Sequence, residues 1–111
     1  MRDYIPAQGD LVALTFDPQS GHEQKGRRPA MVVSKTLFNK ATGMALCCPI
    51  TNTDRQIPFH VPVADRTSLS GFVMCEQIKS LDFRARRISL IQKAPRSLLD
   101  EVLAIVNASI F

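Results

Sequence analysis

The chain has 111 residues, enough for one hydrophobic core and too few for two, so we expect a single domain over residues 1–111. Hydrophobic residues make up 45% and charged residues 22%, the balance of a soluble globular protein. Lys and Arg number 14 against 10 Asp and Glu, and the net charge of +4 permits a polyanionic partner without requiring one. The sequence has no apolar stretch long enough to span a membrane and no signal-peptide pattern, which predicts a cytoplasmic protein.

The N-terminal third contains two predicted strands separated by a polar segment. Leu11–Phe16 is a short apolar run bounded by Gly-Asp and Asp-Pro, which is typical of a buried strand. The polar segment Asp17–Arg28 follows, and connections of that length are often functional. Ala30–Val33, entered through Pro29, is the second predicted strand, and Lys35–Lys40 predicts a short helical turn.

Further strands are predicted up to residue 91. Met44–Ile50 is the first of them, and Pro49 favours an edge position or a bulge near its end. The next strand places His60 outward, between Phe59 and Val61. The remaining predicted strands are Gly71–Ile78 and Arg87–Ile91.

An amphipathic helix is predicted at the C-terminus. Pro95 and Ser97 are alternative starts, and Ser97 with Asp100 has the spacing of a capping box. Five or more short strands followed by one helix favour a small, strongly bent antiparallel sheet with the helix packed on it. An SH3-like barrel is one fold of this mainly β class. The apolar positions that define the helical face are Leu99, Val102, Leu103, Val106 and Ile110.

The three cysteines, Cys47, Cys48 and Cys75, do not indicate a disulfide framework, because their number is odd and two are adjacent. Neighbouring residues on a strand point to opposite faces, so Cys47 and Cys48 are poorly placed to share a metal. We therefore expect buried free thiols in a reducing compartment. No Cys-x-x-Cys, no His-Glu-x-x-His and no tight carboxylate cluster occurs, and the sequence predicts neither a metal site nor a cofactor.

The first candidate functional segment is Gly21–Pro29, which contains two glycines and gathers Glu23, Gln24, Arg28 and further charged side chains. Cleavage of RNA through its own 2′-OH requires a base, an acid and positive charge at the phosphate. Arginine suits the last role, because its planar fork contacts two phosphate oxygens and stays charged. A solvated loop that keeps the protein soluble is the alternative interpretation of the same residues.

Two further polar segments follow predicted strands. Thr51 and Asn52 offer a hydroxyl and an amide that can donate hydrogen bonds to a phosphate, although both are also common turn residues. In Glu76–Ser80, a strand conformation puts Gln77 and Lys79 on one face, suited to base edges and to a backbone phosphate respectively. A solvent-facing strand with a basic tail is the alternative.

Short motifs occur in a fixed order over nearly the whole chain. They are GDLV at 9–12, FDP at 16–18, GHEQ-x-G-x-RPA at 21–30, VVS at 32–34, FN at 38–39, TGM at 42–44, PIT at 49–51, EQIKS at 76–80 and RAR at 84–86. Each motif alone is weak, but the ordered set resembles the MazF/PemK/Kid family of toxin endoribonucleases. The resemblance implies an SH3-like barrel of the CcdB/PemK toxin type, a homodimer, and sequence-specific, metal-independent cleavage of single-stranded mRNA. Attack by the RNA's own 2′-OH would leave a 2′,3′-cyclic phosphate and a 5′-OH, and the loss of mRNA would inhibit translation.

The same resemblance implies roles for individual residues. Arg28 matches the catalytic arginine of an Arg-Pro pair, Thr51 matches a catalytic threonine, and Glu23 matches a loop acid that serves as a base or organises the loop. The implied partner is a MazE-like antitoxin whose disordered acidic tail covers the RNA groove. The implied RNA-binding positions are Phe16, Gly21, Gln24, Asn52, Gln77 and Lys79.

Two other functions fit a fold of this type. A CcdB-like toxin poisons DNA gyrase without cutting anything, but the segment Asn107–Phe111 does not resemble the gyrase-binding end of that family. A catalytically inactive barrel that binds RNA or a peptide is the other alternative. The presence of both Arg28 and Thr51 argues against each of them, and the sequence favours the ribonuclease toxin.

Overall fold

The computed structural model describes residues 3–16 and 26–111 of the chain. Within these residues the fold consists of strands with one short helix in the middle and one longer helix at the C-terminus, so the predicted mainly β architecture is confirmed. The strands are β1 (Asp10–Thr15), β2 (Arg27–Val32), β3 (Met44–Thr51), β4 (His60–Pro62), β5 (Phe72–Met74), β6 (Lys79–Asp82) and β7 (Ser89–Lys93). The helices are α1 (Thr36–Thr42) and α2 (Arg96–Ile110), and a 3-10 turn spans Cys75–Gln77.

Strand β3 lies at the centre of the fold, and its neighbours on both sides are antiparallel to it. It pairs with β2 along one edge. Along the other edge it pairs first with β6, through residues 44–47, and then with β5, through Ile50 and Thr51. Of the two alternatives predicted for Pro49, the edge position is therefore wrong, because β3 has neighbours on both sides. Pro49 is tolerated because it lies between the stretches that pair with β6 and β5, where its missing N–H removes no bond from that ladder.

Strands β1 and β3 and the second half of β2, residues 30–32, are largely buried on both faces, which explains why these stretches are nearly continuous apolar runs. Leu11 and Cys48 belong to the larger core cluster, which packs against α2. Their sequence neighbours Val12 and Cys47 belong to a second cluster that contains Phe83. The two adjacent cysteines thus face opposite sides of β3, and all three cysteines are buried and free, as predicted.

Helix α2 begins at Arg96, two residues earlier than a capping box at Ser97 would place it, so the alternative start at Pro95 is confirmed. The N-cap position is Pro95, which makes no side-chain capping bond, so the predicted box between Ser97 and Asp100 is wrong. Proline suits this position because its fixed φ leads into the helix and its missing N–H leaves no donor unsatisfied. Asp100 instead forms an ion pair with Arg96, 3.0 Å from carboxylate to guanidinium.

The apolar face of α2 is covered by the barrel along only part of its length. Leu99 and Val102 are buried in the core, whereas Leu103 and Val106 are half-buried. Ile110 is 56% exposed. The predicted stripe is therefore real, but its C-terminal end has no cover within the described chain.

Two further predictions failed around β4 and β5. His60, expected to face outward, is buried, because Nε2 of its ring lies 2.9 Å from Oε2 of Glu76 and the pair turns the ring inward. The predicted strand from Gly71 to Ile78 is interrupted by the 3-10 turn after Met74. This turn separates β5 from β6, and both strands pair with β3.

A buried polar cluster joins α1 to the strands beside it. The side chain of Asn39 has no exposed surface and donates to the carbonyl oxygens of Pro6 and Ser34, at 2.8 and 3.2 Å. The hydroxyl of Ser34 donates to Oδ1 of Asn39 and accepts from the backbone N–H of Leu46. Every polar atom of these two side chains therefore has a protein partner.

A second buried polar cluster lies at the start of β1. The carboxylate of Asp10 is 2% exposed and accepts hydrogen bonds from the Tyr4 hydroxyl, the Ala7 N–H and the Lys93 ammonium. Burial, together with the bond to Asp10, raises the pKa of Tyr4 far above its ordinary value. These contacts fix the N-terminal segment against β7.

Candidate functional site

A cleft forms where β1 ends, β2 begins, β3 ends and the chain passes from β5 through the 3-10 turn into β6. Its volume is about 190 Å³. Most of its polar lining consists of side chains that the sequence singled out. The lining residues are Phe16, Arg28, Pro49, Ile50, Thr51, Met74, Gln77 and Lys79.

Arg28 belongs to β2 and lines the cleft. The strand begins at Arg27, three residues earlier than predicted. Neighbouring strand residues point to opposite faces, and the two arginines differ accordingly. The Arg27 guanidinium is held by the carbonyl oxygen of Ala13 and by Oγ of Ser89, both at 3.0 Å. The exposed Arg28 side chain has no hydrogen bond or ion pair with any residue in the described ranges. Its five N–H donors are therefore available to an anionic ligand.

Thr51 lines the same cleft as Arg28. The ladder between β2 and β3 pairs Ala30 with Pro49. Arg28 precedes Ala30 by two residues on β2, and Thr51 follows Pro49 by two residues on β3. The Thr51 Oγ1 accepts a hydrogen bond from the Thr53 N–H at 3.2 Å, which leaves its hydroxyl hydrogen to donate.

Gly71 fixes the backbone behind Thr51. Its φ is +98°, and a Cβ atom at this position would lie 2.3 Å from the carbonyl oxygen of Thr51. Only glycine fits such an approach. Nothing in the sequence alone singled out Gly71, because the strand that it precedes is short and its contact with β3 is distant in sequence.

Phe16 and Lys79 lie close to each other in the cleft lining. The Lys79 ammonium lies 6.0 Å from the centroid of the Phe16 ring, at the outer limit of a cation–π contact. Arg86 holds the end of β1 in place by donating to the carbonyl oxygens of Thr15 and Phe16, at 3.1 and 2.7 Å. The Phe16 N–H donates to the Gly26 carbonyl oxygen at 3.0 Å, which closes the base of the β1–β2 connection. Arg86, the second arginine of the RAR motif at 84–86, thus has a structural role beside the cleft.

Gln77 and Lys79 share the cleft, although the reason differs from the predicted one. Gln77 lies in the 3-10 turn and Lys79 begins β6, so they are not alternate residues of one strand. The exposed Gln77 side chain makes no hydrogen bond with another described residue. Its amide can therefore both donate to and accept from a ligand.

The other predicted site residues lie outside this cleft lining. Asn52 is exposed, and its Oδ1 accepts a hydrogen bond from the Ser70 hydroxyl at 2.9 Å. This contact ties the turn after β3 to the turn before β5. Gly21, Glu23 and Gln24 lie outside the residues that the structure describes.

The described residues contain no group of three or more His, Cys, Asp or Glu side chains that could hold a metal ion. The three thiols are also poor nucleophiles, because burial raises the pKa of Cys47, Cys48 and Cys75 to about 12. Among residues 3–16 and 26–111, no helix has the length and apolar character needed to cross a membrane. The polar side chains that this cleft offers to a ligand are those of its lining residues Arg28, Thr51, Gln77 and Lys79.

The fold and the cleft together define a small β-barrel with a cationic, hydrogen-bonding surface suited to a phosphodiester. Over residues 7–110 the chain matches the family described as the PemK-like, MazF-like toxin of type II toxin-antitoxin systems. The chain belongs to this family, as its motifs predicted. Its class is that of the MazF-like toxin endoribonucleases.

Two endoribonuclease toxins are similar to this chain in sequence, and two crystal structures are similar to it in fold. The endoribonuclease toxin MazF of Escherichia coli K12 is 42% identical over 83 residues, which cover 75% of this chain and 74% of that protein. The endoribonuclease toxin ChpB of the same strain is 39% identical, with 91% and 90% covered. A crystal structure of MazF from Deinococcus radiodurans superposes with a TM-score of 0.85 at 41% identity, covering 97% of this chain and 98% of that one. A MazE-MazF crystal structure from the same organism has a TM-score of 0.87 at 37% identity, covering 96% and 97%.

Proposed function

We propose that this toxin cuts single-stranded RNA in the cleft, without a metal, by attack of the RNA's own 2′-OH on the neighbouring phosphate. The products would be a 2′,3′-cyclic phosphate and a 5′-OH. The observation that carries the proposal is that Arg28 and Thr51, on neighbouring strands, line one cleft with Lys79 and Gln77. A guanidinium and a hydroxyl donor that contact the same phosphate can stabilise the crowded transition state, which carries more negative charge.

The two catalytic side chains have different tasks in this mechanism. A guanidinium gives up its proton only above pH ~12, so Arg28 acts as fixed positive charge and not as a proton donor. Thr51 donates its free hydroxyl hydrogen to a phosphate oxygen. Glu23, in the segment between β1 and β2, completes the proposed catalytic set, either as the base for the 2′-OH or as the acid that organises that segment.

The RNA-binding residues divide between the backbone and the bases of the RNA. Lys79 binds a backbone phosphate, and the exposed edge of the cleft at Phe16 offers a ring on which a base can stack. The Gln77 amide reads a base edge. Asn52, Gly21 and Gln24 extend the binding surface beyond the cleft.

The first test is cleavage of a long single-stranded RNA by the purified toxin in excess EDTA, with the fragment ends mapped. We expect discrete cuts with cyclic-phosphate and 5′-OH ends, and none from the Arg28→Ala variant. Arg96→Ala is the matched control, because it removes the same charge from an exposed residue outside the cleft. Intact RNA from the folded wild-type protein, or cuts that need a divalent metal, would refute the proposal.

The partner of this toxin is proposed to be an antitoxin with a disordered acidic tail. The support is the family description, the MazE-MazF complexes of the relatives, and the unpaired cationic side chain of Arg28 in the described chain. Carboxylates of such a tail would occupy the phosphate positions and block the cleft. Release of the tail in the cytoplasm would free the toxin to cleave mRNA and inhibit translation and growth. An acidic peptide tail should compete with RNA, and lack of competition at low salt would exclude this mode of inhibition.

We also propose that the active form is a homodimer. The C-terminal end of α2 leaves Ile110 largely uncovered, and an apolar groove of about 290 Å³ lies beside it, between Phe59 and Ile110. Exposed apolar surface of this kind is often covered by a second subunit. Sedimentation equilibrium should give a dimer for the wild type and a monomer for Ile110→Asp, whereas a wild-type monomer at micromolar concentration would refute the proposal.

A further inference from the structure

His60 and Glu76 form a partly buried polar contact that the proposed mechanism does not use. The His60 side chain is 2% exposed and that of Glu76 is 31% exposed. Nε2 of the ring lies 2.9 Å from Oε2 of the carboxylate. A carboxylate only accepts hydrogen bonds, so Nε2 carries the hydrogen and donates it to Glu76.

The other ring nitrogen of His60, Nδ1, is buried and has no hydrogen-bond partner among the described residues. The ring is therefore held by a single polar contact, the one to Glu76. A buried polar group without a partner is destabilising, so the unpartnered Nδ1 of His60 lowers the free energy of unfolding. The contact at Nε2 is correspondingly important for keeping the ring and the carboxylate in one geometry.

The pair connects β4 to the segment that lines the RNA cleft. In the β4–β5 ladder, His60 is opposite Met74, whose side chain lines the cleft. Glu76 is the middle residue of the 3-10 turn that follows, and Gln77 is its last residue. The turn has no side-chain cap of its own. Its polar anchors to this region are the bond from His60 of β4 to Glu76 and the bond from the Cys75 N–H to the carbonyl oxygen of Phe59, the residue before β4, at 3.1 Å.

Gln77 depends on this anchor, because its own amide has no hydrogen bond within the described chain. The direction of its side chain is set by the turn that carries it. We propose that His60 and Glu76 are positioning residues that fix Gln77 against the RNA base and so determine the nucleotide preferred at that position. The inference rests on the proposed function, since it assumes that Gln77 reads RNA.

The test compares Glu76→Ala with Gln77→Ala and with the double variant. We expect each single change to relax the mapped cleavage motif at the same nucleotide. Each should also weaken binding of a short RNA with a 2′-deoxy nucleotide at the cut site, by about fivefold or more, the lower range for a lost base contact. In the Gln77→Ala background, Glu76→Ala should add nothing, because its effect passes through Gln77. The value of kcat at the preferred site should change less than KM.

Two further variants separate the hydrogen bond from the fold. Glu76→Gln retains an oxygen that can accept from Nε2 and should restore the wild-type motif. His60→Phe removes the donor while filling the same space, and it should reproduce Glu76→Ala. Glu101→Ala, which breaks an exposed ion pair with Arg66, is the control for loss of a carboxylate and should leave the motif unchanged. Melting curves establish that each variant is folded.

The outcomes distinguish this inference from the proposed function. A wild-type toxin that neither cuts nor binds RNA refutes the proposed function. A wild type that cuts, with a Glu76→Ala variant that keeps both motif and affinity, overturns the positioning role alone. The positioning role is also overturned if Glu76→Ala acts equally in the Gln77→Ala background, or if Glu76→Gln fails to restore the motif.

Discussion

The cleft and the Asn39 cluster both gather polar side chains in a mainly apolar protein, but they treat those side chains in opposite ways. At Asn39 every polar atom of the side chain has a partner, and no surface is exposed. In the cleft, Arg28 and Gln77 have no hydrogen bond with any other residue that the structure describes. Satisfied polar groups stabilise the fold, whereas unsatisfied groups at a surface remain available for a ligand. The comparison predicts that mutations in the two regions separate activity from stability.

The largest expected effect is on catalysis. Arg28→Ala should lower kcat/KM for RNA cleavage by about 10²-fold or more, the scale of losing one preorganised electrostatic donor. The melting temperature should stay close to that of the wild type, because the Arg28 side chain holds no other described residue. Cleavage kinetics and thermal melting measure the two quantities on the same sample. Near-normal cleavage would remove Arg28 from the mechanism.

Asn39→Ala tests the other side of the comparison. The change leaves the Ser34 hydroxyl without its acceptor and the Pro6 and Ser34 carbonyl oxygens without a donor. The free energy of unfolding should fall by about 3 kcal/mol, the cost of unsatisfied buried groups. Cleavage below the melting transition should change little. Urea denaturation gives the free energy, with Lys40→Ala on the exposed side of α1 as the control, and equal stability of both variants would contradict the prediction.

Lys79→Ala should have a smaller effect, confined to binding. Loss of one phosphate contact lowers the affinity for RNA and reduces the slope of log Kd against log salt by about 0.7, the value for one contact to a single strand. Lys40→Ala removes the same charge from α1 and should leave the slope unchanged. Fluorescence anisotropy over a series of salt concentrations measures both slopes. Identical slopes would mean that Lys79 is part of the ordinary solvated surface.

The smallest effect is expected for the rate at which an alkylating reagent modifies the cysteine thiols of the native protein near neutral pH. Burial raises the pKa of all three cysteines to about 12, so only about one thiol in 10⁴ is ionised at pH 8, and alkylation of the native protein should be slow. Unfolded thiols ionise near pH ~8.5. Stability should therefore be fully present below that pH and decline as the pH rises towards 12, because the unfolded chain releases these protons first. Rapid labelling in the native state at pH 8 would contradict the burial argument.

The sequence predicted the parts of the fold that depend on local patterns. The apolar run Leu11–Phe16, the stripe along α2 and the opposite faces of Cys47 and Cys48 all follow from periodicity, and all three agree with the structure. Tertiary contacts decided the remaining features. His60 is turned inward by a carboxylate distant in sequence, and Pro49 is tolerated because β3 changes partners beside it.

The candidate site was predictable to the extent that family motifs mark it. Arg28, Thr51, Gln77, Lys79 and Phe16 were all named from their motifs, and the structure places them around one cleft. The residues that position them were not predictable. Arg86 holds the end of β1, and Gly71 packs against the backbone of Thr51, but both act through contacts between segments far apart in the chain.

The closed base of the β1–β2 connection has a consequence for how such a toxin can change during evolution. The Phe16 N–H donates to the Gly26 carbonyl oxygen, and Thr15 pairs with Arg27. These two contacts fix the register of β2 at its N-terminal end. Residues 17–25 can therefore gain, lose or exchange amino acids without shifting Arg28 to the other face of its strand. By contrast, a single insertion inside β2, after Arg28, would exchange the faces of Arg27 and Arg28 and remove the cation from the cleft. New cleavage specificities should thus be engineered by varying the residues of the 17–25 segment around Glu23, with Glu23 and the strands left intact.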